Sequence, residues 1–319
     1  MPRNRHRGFA PDPPKAGGLW KPLRYAGPGA SRMTPDPRRH PWRPDLAAAG
    51  LEGRVPSRRF VTGTPRQVRT GCAALKATPD DAAGQTSQLL WGESFTVYEE
   101  VDGWAWGQNL TDGYVGYVRN ACLDARVTGP SHRVIALRSF VYPRPDLKAP
   151  PREVLSLGSP VTVEGGRDGY VAITGGGWVF AGHLVPWNHA EPDFVATAGR
   201  LLGVPYLWGG RTSLGLDCSA LVQLVLAVAG LSAPRDSDMQ RNELGRLIEG
   251  DGGAALRRGD LVFFPGHVGL MVDDERLIHA TAFTMTVTVE PLATVVARTD
   301  PTRGGGVLAV RRLDVTSRR

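Results

Sequence analysis

The stretch YLWGGRTSLGLDCSALVQLVLAVAG, residues 206–230, decides how the rest of the chain is read. In its second half Ala220, Leu221, Leu224, Val225 and Val228 share one helical face, and Gly230 supplies a stop. Asp217 stands where a side chain can cap free N–H groups. The spacing predicts a buried helix whose first turn presents the Cys218 thiol. A cysteine there sits at the positive end of the helix macrodipole, which favours thiolate and draws its pKa below the ordinary ~8.5. Most free cysteines are simply small buried apolar residues, so the thiol alone defines no site.

Two histidines supply context. His267, in FFPGHVGLMV, follows Gly266 at the first residue of a strand-like run. His279, in RLIHATA, lies on the next run, after a turn near residues 273–276. Antiparallel pairing of the two runs can bring both rings together, with the register left open. Either histidine alone reads more simply as a satisfied or exposed imidazole than as a catalytic one. A thiol, a base and an orienting group form the minimal set for covalent acyl transfer. Cys72 and Cys122 lie in a β-patterned region with no C-x-x-C or H-E-x-x-H spacing, and GGAALRRGD lacks the preceding strand and Lys-Ser/Thr of a phosphate-binding loop. No metal and no cofactor are expected.

The whole chain sets the bounds. Its 319 residues suffice for two or three small domains, and 41% hydrophobic with 22% charged residues describe a soluble globular protein. No run approaches the ~18 apolar residues of a membrane span. The start, MPRNRHRGFAPDPPKAGG, has basic residues but no apolar segment after them, so no secretory signal is expected. Three cysteines are too few, and odd, for a disulfide framework, which points to a reducing cytoplasm. Residues 1–59 hold 13 Lys/Arg against 4 Asp/Glu, the remainder 25 against 27, so the net charge of +7 belongs to the leader. A basic leader can touch nucleic acid or anionic lipid, but a solvated tail is the simpler reading and no nucleic-acid partner is expected.

Residues 1–43, rich in Pro, Arg and Gly, read as a disordered leader. Residues 44–55, PDLAAAGLEGRV, carry the start and stop signals of a short helix. The texture then becomes short β runs broken at Gly, Pro and Asp, and it recurs: GESFTVYEEVDGWAWGQ parallels GSPVTVEGGRDGYVAIT, and GYVGYVRNACL parallels GGWVFAGHLV. A repeat of about 65 residues implies two copies of one small β-barrel, over 44–127 and 128–190. From 191 to 319, helix patterns precede strand patterns, the order of an α+β domain.

Taken together, PYLWGGRTSLGLDCSALVQ, APRDSDMQ, RRGDLVFFPGHVGLMV and LIHA, in this order, resemble the NlpC-type (NlpC/p-sixty) cell-wall peptidases, over about residues 193–313. Both repeats resemble bacterial SH3-like domains, and the combined architecture is similar to γ-D-glutamyl-L-diamino-acid endopeptidases. The resemblance implies an α+β, papain-like catalytic domain preceded by two small SH3-like barrels. It implies a cysteine peptidase in which Cys218 is the nucleophile, His267 the general base and His279 the orienting residue. Its substrates would be free murein peptides of the L-Ala-γ-D-Glu-diamino acid type. Tyr206, Trp208, Asp217 and Ser219 match positions lining the cleft. Asp236, Ser237, Tyr114 and Glu93 match positions that hold and close over the substrate's N-terminal end, where a free ammonium requires carboxylates. Ala220 replaces a more usual Gly, and the leader has no counterpart. A papain-like amidase or acyltransferase, and a non-catalytic wall-binding protein, are the alternatives.

Overall fold

The computed structural model describes residues 34–248, 256–299 and 306–314. Three units follow one another, and each lends a residue to a neighbour's core.

The first is an antiparallel sheet of seven short strands, ordered Gln85–Leu90, Cys72–Lys76, Val115–Arg119, Trp104–Asn109, Ser94–Val101, Thr64–Val68, Leu123–Asp124. Alternation along Ser94–Val101 turns Phe95 and Val97 into a core with Leu75, Leu89, Ala105 and Val118. Met239, from the third unit, enters the same core.

The second unit, residues 132–186, carries eight strands in three small sheets around Val134, Val141, Leu155, Val161, Ile173 and Val179, and Trp91 of the first unit enters that core. The repeat seen in the sequence has local counterparts here. Asp102–Gly103 and Asp168–Gly169 both take positive φ at both residues, as a tight hairpin turn requires. The 3-10 turns Asn120–Cys122 and Ala181–His183 each lead into a closing strand.

The third unit is a six-stranded antiparallel sheet, ordered Arg246–Leu247, Ala309–Arg312, Leu261–Phe264, His267–Met271, Arg276–Thr281, Thr286–Pro291. Its helices are α1 (Phe194–Gly199), α2 (Cys218–Val228), α3 (Ser237–Glu243) and α4 (Leu292–Arg298). Every residue of α2 except Ala227 is buried. One side meets Val268, Leu270, Ile278 and Ala280 of the sheet and Phe194, Val195 and Ala198 near α1. Leu157 of the second unit joins the same cluster. Burying each Leu or Val of this helix contributes about 1.5–3 kcal/mol, which holds its N-terminus in one place.

Two expectations change. Residues 44–55 form a two-residue strand, Ala47–Ala48, paired in parallel with Phe60–Val61, and a single 3-10 turn, Ala49–Leu51, rather than a helix. Gly50 and Pro56 limit any longer helix. The disordered leader expected over 1–43 is ordered from 34 onward: Trp42 Nε1 bonds Pro35 O at 2.8 Å and Val115 N bonds Arg38 O at 2.8 Å. The rest of that expectation, 1–33, lies outside the described residues. Among the described residues no helix is long and apolar enough to cross a membrane.

Candidate active site

Cys218 opens α2 because Asp217 caps it. Asp217 has extended backbone, and its Oδ1 accepts from Ala220 N at 2.9 Å. The Cys218 N–H, first of the helix, has no carbonyl four residues back to bond. The Cys218 side chain packs in the same apolar cluster as Val268, and the N–H groups of Val268 and Ser219 favour the charged form of the thiol against its burial. Val268 directly follows His267, so this contact sets the thiol beside the histidine-bearing strand.

The register pairs Leu270 with Ile278 and Met271 with Leu277, and on the next strand His279 with Thr288 and Leu277 with Glu290. His267, His279 and Glu290 therefore step diagonally across three neighbouring strands on one face. His267 Nε2 lies 2.8 Å from His279 Nδ1, and His279 Nε2 lies 2.8 Å from Glu290 Oε2. Arg298, from α4, donates to Glu290 through Nη1 at 2.9 Å and Nη2 at 2.7 Å. These bonds draw the Glu290 pKa down to about 2, so the group is a carboxylate that only accepts. His279 Nε2 then carries the shared proton. Burial lowers the His279 pKa and keeps the ring neutral, so its Nδ1 accepts from His267 Nε2. His267 is left with its lone pair on Nδ1. The carboxylate fixes both tautomers through the chain of hydrogen bonds.

Burial pushes His267 down to about 3, aided by His279 and Arg298. Burial and then the Asp217 carboxylate push Cys218 up to about 12. The free site is thus held as neutral thiol and neutral imidazole. This corrects the expectation of a thiolate favoured by the helix end, because desolvation and a neighbouring negative charge outweigh it.

Asp217 and Ser219, expected to line the cleft, are instead committed within the protein. Fully buried Arg235 donates to Asp217 Oδ1 and Oδ2 at 2.9 and 2.6 Å, to Ser219 Oγ at 2.9 Å and to Ser87 Oγ of the first unit at 3.0 Å. Gly209 N adds a bond to Asp217 Oδ2 at 2.9 Å. Tyr206 is half-buried against the apolar cluster that contains Cys218, and its pKa is pushed up to about 12, chiefly by burial. Trp208 is 69% exposed, with Leu214, Phe283 and Met285 also exposed.

Tyr114 and Asp236 meet. The Tyr114 hydroxyl, on the first unit, donates to Asp236 Oδ2 at 3.0 Å. Asp236 stands at the N-cap of α3 without capping it, and Ser237 begins the helix. Burial raises the Asp236 pKa, against the pull of Tyr114, Arg235 and Arg38.

Glu93 is placed differently from Asp236. It is buried in a two-bond ion pair with Arg211, 3.1 Å in each bond, and accepts from Leu90 N at 3.0 Å. Arg211 Nε continues to Gln223 Oε1 at 2.8 Å, and Gln223 Nε2 to Asp112 Oδ2 at 3.1 Å. Asp112 Oδ1 accepts from Tyr114 N at 3.0 Å. Glu93 is therefore tied to the tyrosine through this network, holding the wall that carries it.

The sequence pattern does not single out Glu290, Arg298 or Arg235. TVTVEP carries a period of two that puts Glu290 on the face of Thr288, but nothing in it names His279 as a neighbour. Arg235 was visible beside Asp236 in PRDS, without a sign that it is buried. Among the described residues no group of three or more His, Cys, Asp and Glu side chains could hold a metal ion.

This geometry defines an α+β domain that presents a thiol at a helix start to a histidine pair on an antiparallel sheet, with a β-rich unit closing one side. The chain matches the NlpC/P60 family over residues 203–302 and the bacterial dipeptidyl-peptidase SH3 domain over 75–123, and it carries both domains. It is 28% identical over 233 residues to dipeptidyl-peptidase 6 of Lysinibacillus sphaericus, covering 66% of this chain and 84% of that one. It is 26% identical over 215 residues to a γ-D-glutamyl-L-lysine dipeptidyl-peptidase of Bacillus subtilis, covering 61% and 71%. A solved NlpC/P60 family protein from Bacillus cereus shares the fold, with a TM-score of 0.66, 18% identity and coverage of 78% and 99%.

Proposed function

We propose that the protein is a cysteine peptidase that cleaves the γ-D-glutamyl–diamino acid bond of free murein peptides bearing an unblocked L-alanine, releasing L-Ala-γ-D-Glu. The contact that carries this reading is Tyr114 on Asp236. A half-buried carboxylate beside a wall donated by another unit suits a substrate that ends there in an ammonium, and a blocked groove favours dipeptide release over cutting intact wall. The names of the two relatives above agree with it.

In this mechanism Cys218 Sγ attacks the γ-carbonyl carbon while His267 Nδ1 takes the thiol proton. The Cys218 N–H faces the developing oxyanion. The C–N bond breaks as His267 returns the proton to the leaving amine. Water, deprotonated by the same nitrogen, then cleaves the thioester and restores the thiol. His279 and Glu290 keep the basic lone pair on Nδ1. Substrates of this kind are products of wall turnover, and we place their recycling in the cytoplasm, in keeping with three unpaired thiols.

The test is mass spectrometry of products from L-Ala-γ-D-Glu-diamino acid tri- and tetrapeptides, each with a free and an acetylated N-terminus. Release of L-Ala-γ-D-Glu from the free peptides, with only residual cleavage of the acetylated ones and both lost in Cys218→Ala with the fold retained, is the expected result. Unchanged turnover by Cys218→Ala, or equal cleavage of acetylated peptides, sinks it.

A further inference from the structure

The segment from Pro35 to Arg43 lies between the two elements that meet at the proposed amine site. On one side its backbone joins the first unit: Val115 N, next to Tyr114, donates to Arg38 O at 2.8 Å, and Gln108 Nε2 to Arg39 O at 2.8 Å. On the other its side chains reach α3, with Arg39 paired to Glu243 and Arg38 to Asp236 and Asp238. Arg38 Nη2 lies 2.7 Å from Asp36 Oδ2 and 2.9 Å from Asp238 Oδ2. Nη1 lies 3.1 Å from Asp238 Oδ1 and 2.9 Å from Asp236 Oδ2.

Three carboxylates thus share one guanidinium. Asp36 and Asp238 each take two or more bonds, and Asp236 takes one. The planar fork stays in place whatever Asp236 does. Asp236 Oδ2 accepts from both Tyr114 and Arg38, while Oδ1 bonds no other described residue. An incoming cation need not displace the arginine.

We propose that Arg38 is a positioning residue for the substrate's amine: clamped by Asp36 and Asp238, it holds Asp236 by one oxygen and leaves the other for the ammonium. This rests on the peptidase reading above. The segment ahead of the first β unit becomes part of the specificity apparatus, acting on binding rather than on the chemical step.

Kinetics on the free and N-acetylated tripeptide test it. Arg38→Ala raises KM for the free peptide about tenfold, the worth of one hydrogen bond to a charged group, with kcat within about twofold. Arg38→Lys, which keeps the charge without the fork, recovers part of the loss, and residual turnover of the acetylated peptide does not change. Arg38 is 39% exposed, so the variant is expected to fold. Should its melting temperature fall, Asp36→Asn loosens the same clamp and raises KM in the same direction. An unchanged KM, or equal falls in kcat on both peptides, overturns the role of Arg38 while leaving the reaction standing. Wild-type protein that cleaves neither peptide overturns the reaction and the proposal together.

Discussion

Tyr114 and Asp236 stand 122 residues apart in the chain and share a 3.0 Å hydrogen bond across two structural units. The tyrosine is supported from behind by Asp112, Gln223, Arg211 and Glu93, and the aspartate from the side by Arg38. Neither unit alone carries both residues, so amine recognition in the proposed reaction depends on how the units dock. Tyr114→Phe removes one donor and keeps the ring in its buried place. A lost hydrogen bond to a carboxylate costs about 1.5–3 kcal/mol, so KM for the free-amine peptide should rise about tenfold or more. Steady-state kinetics at constant pH check this, and an unchanged KM removes the hydroxyl from the account.

Glu290 is the far end of the histidine chain and the group that sets its tautomers. Glu290→Gln keeps the shape but removes the charge that holds Arg298, and the amide can present its NH2 to His279. His267 then loses its preference for a lone pair on Nδ1. We expect kcat to fall roughly 10–100-fold with KM little changed, as when an orienting group behind a catalytic histidine is lost. Turnover equal to the wild type shows that His279 alone is sufficient.

The legible parts of the molecule were those carried by local pattern. Helix α2 was readable because its apolar period, its Asp217 cap and its Gly230 stop agree. His267 and His279 were readable because each sits in a run of β texture. A period of two assigns a face but not a partner, so the step from His279 to Glu290 needed the register. Residues 34–43 read as disordered because Pro and Arg show no apolar period, yet ion pairs and backbone bonds hold them. Glu93 could be seen as a carboxylate near the wall, but its burial against Arg211 depends on two units meeting. The thiol pKa went the other way for a related reason: helix position is visible in sequence and desolvation is not.

Glu93 gives a prediction on stability instead of recognition. Its ion pair with Arg211 is buried on both sides, 3% and 7% exposed. Removing one partner of such a pair leaves an uncompensated buried charge and costs about 3–5 kcal/mol. Glu93→Ala should lower the urea midpoint accordingly. The ratio of free to acetylated peptide turnover, measured on folded protein, should stay near the wild-type value. A collapse of that ratio without loss of stability would return Glu93 to the amine site.

The neutral thiol–imidazole pair predicts how stability follows pH. His267 has a folded pKa of about 3 against an ordinary 6.5. Between these values the unfolded chain binds more protons than the folded one, so stability falls as pH drops from about 6.5 toward 3. Cys218 acts at the other end: its folded pKa of about 12 lies above the ordinary 9.0. There the folded state binds more protons, and stability falls as pH rises above about 9. This pair therefore favours the fold most between about 6.5 and 9. His267→Asn removes the acid-side contribution, so its urea midpoint should depend less on pH between 6.5 and 4 than that of the wild type. Cys218→Ala should flatten the alkaline side in the same way and leave the acid side as it was. Parallel pH profiles for the wild type and both variants would mean that the imidazole and thiol titrate at ordinary values in the folded protein.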